Sequence, residues 1–154
     1  MSFFYFPEQV NDRAARLVAG VVALSLAVAI PLELRFVVPL IAIGFWLRLG
    51  FGPRVSPLAR IAVRVAAARW PAVLVPGAPK RFAQGIGAVF TTTASALLFS
   101  GLPLWGWSIA GVIVLCAAIE ATQAFCVGCW MYGRLGPIGA LLSGARSRKV
   151  PLPK

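Results

Sequence analysis

Apolar positions gather into long uncharged blocks along the chain, and polar positions gather into short basic or proline-rich links between them. The first block runs from Leu17 to Leu32 between Arg16 and Glu33, and Ala14 and Ala15 extend it toward Arg13. A membrane-crossing helix takes about 20 such residues, so a span is predicted over 14–32, capped by Asn11 or Asp12. The second block, 36–51, is interrupted only by Arg48, near enough to its end for the arginine stem to reach headgroups. Only Pro31 to Arg35 joins these two blocks, which imposes a tight antiparallel hairpin. From Phe82 to Ile119 there is no charge at all, and Ser100-Gly101-Leu102-Pro103 divides that stretch near its middle. Two further spans are predicted, over 82–100 and 104–129, with Trp105 and Trp107 at an interface.

The link between the second and third spans is basic and broken by prolines. Ser56-Pro57 reads as a helix cap followed by a first-turn proline. Beyond it, Leu58, Ile61, Ala62 and Val65 share one helical face while Arg60 and Arg64 share the opposite one. An interfacial amphipathic helix over 57–70 is the reading, with an ordinary basic loop as the alternative. The predicted fold class is therefore all-α: an integral membrane four-helix bundle of two helical hairpins occupying 13–136. Residues 1–12, with Phe3, Phe4, Tyr5 and Phe6, read as an aromatic interfacial segment, and 137–154 as a basic cytoplasmic tail. Ala27-Val28-Ala29 imitates a signal-peptide cleavage site, but the apolar run continues through it and cutting there would orphan the hairpin.

Composition strengthens this picture. The chain of 154 residues is 60% hydrophobic and only 12% charged, where a soluble domain carries about 25%. Its mean hydropathy is +0.86. The net charge of +11 would suggest nucleic acid in a soluble protein. Here the cations flank apolar blocks, so the bilayer and its anionic headgroups are the expected partners, and nucleic acid is not. Of the 15 Lys and Arg, all but Arg35 fall on alternating sides consistent with N and C termini in the cytoplasm. With no histidine in the chain, no metal site or cofactor is expected.

Cys126 and Cys129 form a C-x-x-C pair at the end of the fourth predicted span. On a continuous helix they lie about 60° apart, close enough to meet. Reversible thiol or sulfur chemistry is one reading, and ordinary small-residue packing is another. Half of a zinc site is a third, needing a homodimer to supply four ligands. A pair at a helix C-terminus faces a dipole that opposes thiolate, which predicts a near-normal thiol pKa unless an arginine such as Arg134, Arg48 or Arg54 offsets it.

Glu120 is the one acidic residue inside a predicted span, about 9 Å before Cys126 along a continuous helix. Arg48 is its first expected partner and Arg81 its second, with a protonated Glu120 bonded to Gln123 or a threonine as the structural alternative. Thr91, Thr92, Thr93 and Ser95, with Gly85 and Gly87, suit close helix packing or, alternatively, a polar conduit for a small anion. Cys116 reads as packing.

Three ordered stretches carry a family resemblance: Gly52-Pro53-Arg54-Val55-Ser56-Pro57-Leu58-Ala59-Arg60, Pro79-Lys80-Arg81-Phe82-Ala83-Gln84-Gly85-Ile86-Gly87, and Glu120 with Phe125-Cys126-Val127-Gly128-Cys129. From Asp12-Arg13 to Gly136 the chain resembles the bacterial membrane proteins grouped as domain of unknown function 4395, although Ala124 stands where the family commonly has glycine. That resemblance implies a bacterial inner-membrane location and a neighbourhood of thioredoxin-like and sulfurtransferase proteins. The expected function is a membrane thiol-redox or sulfur relay using Cys126 and Cys129, with Glu120 tuning a polar pocket and Arg54, Lys80 and Arg81 attracting an anionic sulfur species. A small anion transporter and a non-catalytic assembly subunit are the alternatives.

Overall fold

In a computed structural model of the chain, the described residues, 9–51 and 57–135, form six helices and one two-stranded ladder. Residues 1–8 of the N-terminal segment, with its aromatic side chains, Arg54 with Ser56, and the basic tail lie outside the described residues. Strand β1 (Gln9–Asn11) pairs antiparallel with β2 (Leu74–Pro76), Val10 opposite Val75, a feature the apolar pattern does not signal. Helix α1 (Asp12–Ala29) starts on Asn11, whose side chain accepts the Arg13 N–H at 3.0 Å. Helix α2 (Val37–Phe51) follows the Pro31–Arg35 link, and α3 (Pro57–Arg69) the second basic one.

Helix α4 (Gly77–Phe99) begins five residues before the predicted start at Phe82. Pro79 reads as a breaker in sequence but falls in the first turn, where a missing N–H costs no intrahelical bond. The longer helix carries Lys80 inside α4. The turn into α5 (Pro103–Gln123) uses Gly101 at φ 87°, a left-handed conformation that disfavours a side chain. Helices α4 and α5 are long and apolar enough to cross a membrane.

Helix α1 packs mainly on α5, α2 mainly on α4, and α4 on α5. The α2–α4 contact is close because Gly87 lies beneath the Phe45 ring, only 2.6 Å from where a Cβ would stand. Consecutive α1 and α2 touch little, so the hairpin is splayed. Leu26, Val38, Leu98, Ile113 and Ala117 belong to the core between the helices.

Helix α3 lies against α1 through only part of the face its pattern predicts: Leu58 and Ala62 pack inward, but Ile61 and Val65 do not. Ala59, Ala62 and Ala66 are buried, whereas Ile61 and Val65 are 59% and 44% exposed. Small alanines let the two backbones approach, which the bulkier Ile61 and Val65 would prevent.

Candidate functional site

Three helix ends meet at Lys80. Its Nζ donates to Glu120 Oε1 at 2.6 Å and lies 3.1 Å from Asp12 Oδ1, with only 8% of the lysine side chain exposed. Asp12 opens α1, Lys80 sits in the second turn of α4, and Glu120 lies in the last turn of α5. The expected partners of Glu120, Arg48 first and Arg81 second, are thus replaced by Lys80. The early start of α4 turns Lys80 inward, while Arg81 is exposed on the next position of the helix. Gln123 is exposed at the end of α5 and is not the bonding partner of Glu120. Asp12 joins the cluster through tertiary packing, with no motif to announce it. The β1–β2 ladder and the Asp12 N–H donation to the Val73 carbonyl at 2.8 Å hold it there.

Arg48 is 5% exposed, and its guanidinium stands 4.5 Å over the Phe45 ring. Among the described residues, its Nε has no hydrogen-bond partner, and neither does the buried Gln84 Oε1. Both residues line a cavity of about 620 Å³ enclosed by α1, α2, α3, α4 and α5, where the first hairpin is splayed. Lys80 and Glu120 lie at its polar end, Arg60 and Arg64 on its α3 side, and Ala15, Val18 and Val22 along its apolar wall.

Helix α5 does not continue to Cys129 as its apolar run predicts; it stops at Gln123. Ala124 takes the left-handed region at φ 56°, and Arg16 donates to the Ala121 carbonyl at 3.0 Å and the Thr122 carbonyl at 3.0 Å. A cation on the last carbonyls is a stabilising helix stop. The chain then re-enters helix as α6 (Val127–Arg134), with Cys126 as its N-cap. The Cys126 Sγ accepts the Cys129 N–H at 3.4 Å. The dipole expectation is therefore reversed, because the pair meets the positive end of α6.

Instead of the near-normal value expected, the Cys126 thiol is held below the ordinary thiol range, first because the Cys129 thiol donates to it. Burial and Glu120 oppose this, and Lys80 assists it. Cys129 is pushed up because it keeps the shared proton, with burial acting in the same direction. Arg134 faces the Trp130 ring at 5.1 Å and takes no leading part in the shift. All three cysteines are free thiols; Cys126 is 9% exposed, and Cys129 and Cys116 are half-buried.

The hydroxyls of α4 mostly serve their own helix. Thr91, Thr92, Thr93 and Ser95 donate to carbonyls one turn back at 2.7 to 2.9 Å. Thr92 also accepts from Trp46 Nε1 at 3.0 Å, a bond across the α2–α4 contact.

These features define an all-helical protein with two helices apolar enough to cross a membrane and a C-x-x-C turn beside a buried ion cluster. The family model described as Domain of unknown function (DUF4395) matches residues 10–136, and the chain belongs to that family. No curated protein and no solved structure matches it.

Proposed function

We propose that the protein is a four-span membrane thiol relay, with its termini in the cytoplasm and its Cys126–Cys129 turn facing cytoplasmic sulfur-carrying and thioredoxin-like partners. The observation that carries this reading is the turn itself, with Cys126 at the head of α6 and Cys129 donating to its sulfur. A free thiolate is the nucleophile in sulfur exchange, and a neighbouring thiol resolves the product. Support for the membrane setting comes from the apolar exterior: Leu24, Leu40, Leu104 and Leu115 are 65% to 75% exposed. The cation distribution supports the orientation.

The 9% exposure of Cys126 suits a slender electrophile such as a persulfide terminus better than a broad protein disulfide. In the first step, the Cys126 thiolate attacks the outer sulfur of a partner persulfide. The partner S–S bond breaks, its thiolate leaves, and Cys126 becomes a persulfide. Cys129 then attacks Cys126 Sγ, forming the Cys126–Cys129 disulfide; the outer sulfur leaves as HS⁻ and takes the Cys129 proton to become hydrogen sulfide. A thioredoxin-like dithiol restores both thiols and is itself oxidised to a disulfide. Lys80 stabilises the anionic states, and Glu120 keeps that lysine in place.

The test uses purified protein with glutathione persulfide as donor. Cys129→Ser should accumulate a persulfide on Cys126, whereas the unaltered chain should release sulfide and form its disulfide. Absence of a persulfide in Cys129→Ser, or sulfide release undiminished in Cys126→Ser, would end the proposal.

A further inference from the structure

The 620 Å³ cavity lies within the range of about 300–1,000 Å³ typical of small-molecule sites. Its lining is two-sided. One wall follows α1 from Asn11 to Val22, roughly 16 Å at 1.5 Å per residue, and is apolar beyond Asn11. The rest of the lining includes Arg48, Lys80 and Gln84, with Arg60 and Arg64 of α3. Among the lining residues Glu120 is the one acid against four cations, and Lys80 is already engaged by both Glu120 and Asp12. That leaves Arg48, 5% exposed and lining the cavity, which feels the charge of Glu120 but makes no hydrogen bond or ion pair among the described residues. A buried donor without a partner is rare, and a guanidinium favours an anionic oxygen above other acceptors.

We propose that this cavity binds an amphiphile with a single apolar chain and a monoanionic head, the head on Arg48 and the chain along Ala15, Val18 and Val22. Arg60 and Arg64, both exposed, draw the head toward the opening. The site makes no use of the cysteine pair, so it stands or falls separately from the sulfur relay.

The experiment titrates lauric acid, lauryl alcohol and acetate into the full chain in a non-ionic detergent, with calorimetry or native mass spectrometry as the readout. Lauric acid should bind saturably, acetate should not bind, and lauryl alcohol should bind about tenfold more weakly, the weight of one charge-assisted hydrogen bond. Arg48→Gln should lower lauric acid affinity to that of the alcohol. Since a buried arginine can be needed for folding, Arg60→Gln/Arg64→Gln at exposed positions is the companion variant, expected to weaken lauric acid several-fold and leave the alcohol unchanged. Phosphatidylglycerol identifies the source. Displacement of lauric acid assigns the site to a bilayer lipid chain and no displacement to a free amphiphile, and both results support an anionic head. Equal binding of acid and alcohol in the unaltered chain, or acid preference surviving both variants, overturns the proposal.

Discussion

Cys129 lowers the Cys126 thiol twice, through its backbone N–H and, chiefly, through a hydrogen bond from its own thiol. Because the Cys129 thiol supplies that hydrogen bond, removing it should return Cys126 toward the ordinary thiol range. Cys129→Ala is expected to slow iodoacetamide modification of Cys126 at neutral pH by about tenfold for each pKa unit recovered, while Cys129→Ser, which keeps a donor, should lie between. Superimposable rate–pH profiles for the unaltered chain and Cys129→Ala would refute this. The sign for stability follows from the same shift. The folded value lies below the unfolded one, so the thiolate adds stability that is full above the unfolded thiol range. That increment is lost as pH falls through the folded value. None of this chemistry was legible from spacing, because C-x-x-C reads alike at either end of a helix. What decides it is Ala124 in a left-handed conformation, and alanine carries no breaker signature.

At the scale of elements, the position of the cysteine turn depends on how closely α6 approaches α4. A Cβ on Gly128 would stand 2.6 Å from the Ala83 Cβ and 2.7 Å from its Cα, and the second of these is backbone that cannot swing aside. Phe82 and Tyr132 meet beside this contact with ring centroids 5.6 Å apart. Gly128→Ala should therefore push α6 off α4 and destabilise the protein by about 1–3 kcal/mol, the usual penalty of overpacking. Thermal unfolding would register the loss, and Cys126 alkylation would register the displaced turn. Ala83→Gly in the same chain should restore only part of the stability, since it relieves one of the two contacts; a neutral Gly128→Ala would disprove the close approach. The apolar blocks and the Ser100–Pro103 break are legible in sequence because helix length and proline position are local properties. The end of α5 is not local. It is set by Arg16, 105 positions away from Ala121, and by the separate seating of α6. Lys80 was missed as the partner of Glu120 for the same reason. The uncharged stretch begins at Phe82, which left Lys80 and Arg81 together in the link, and packing rather than spacing chooses which cation turns inward.

Taken as a whole, the molecule has two chemically distinct ends. One gathers the start of α1, the end of α5 and Lys80 of α4 through the Arg16 and Lys80 contacts, with the cysteine turn following α5. At the other, the turns after α1 and α4 come together, with Phe36 and Phe99 ring centroids 5.7 Å apart and Arg35 as the nearby cation. The proposed orientation puts the cation-rich end in the cytoplasm, so under it an engineered thiol at the second end should report the outside. Ser100→Cys, at an exposed position of the α4–α5 turn and in a chain with Cys116, Cys126 and Cys129 changed to serine, should react with a membrane-impermeant maleimide in intact cells. The unaltered chain should react only after the membrane is opened, as Cys126 and Cys129 then become reachable. The reverse pattern would place the sulfur chemistry outside the cell and remove its reducing partners, while leaving the packing of the helices as described.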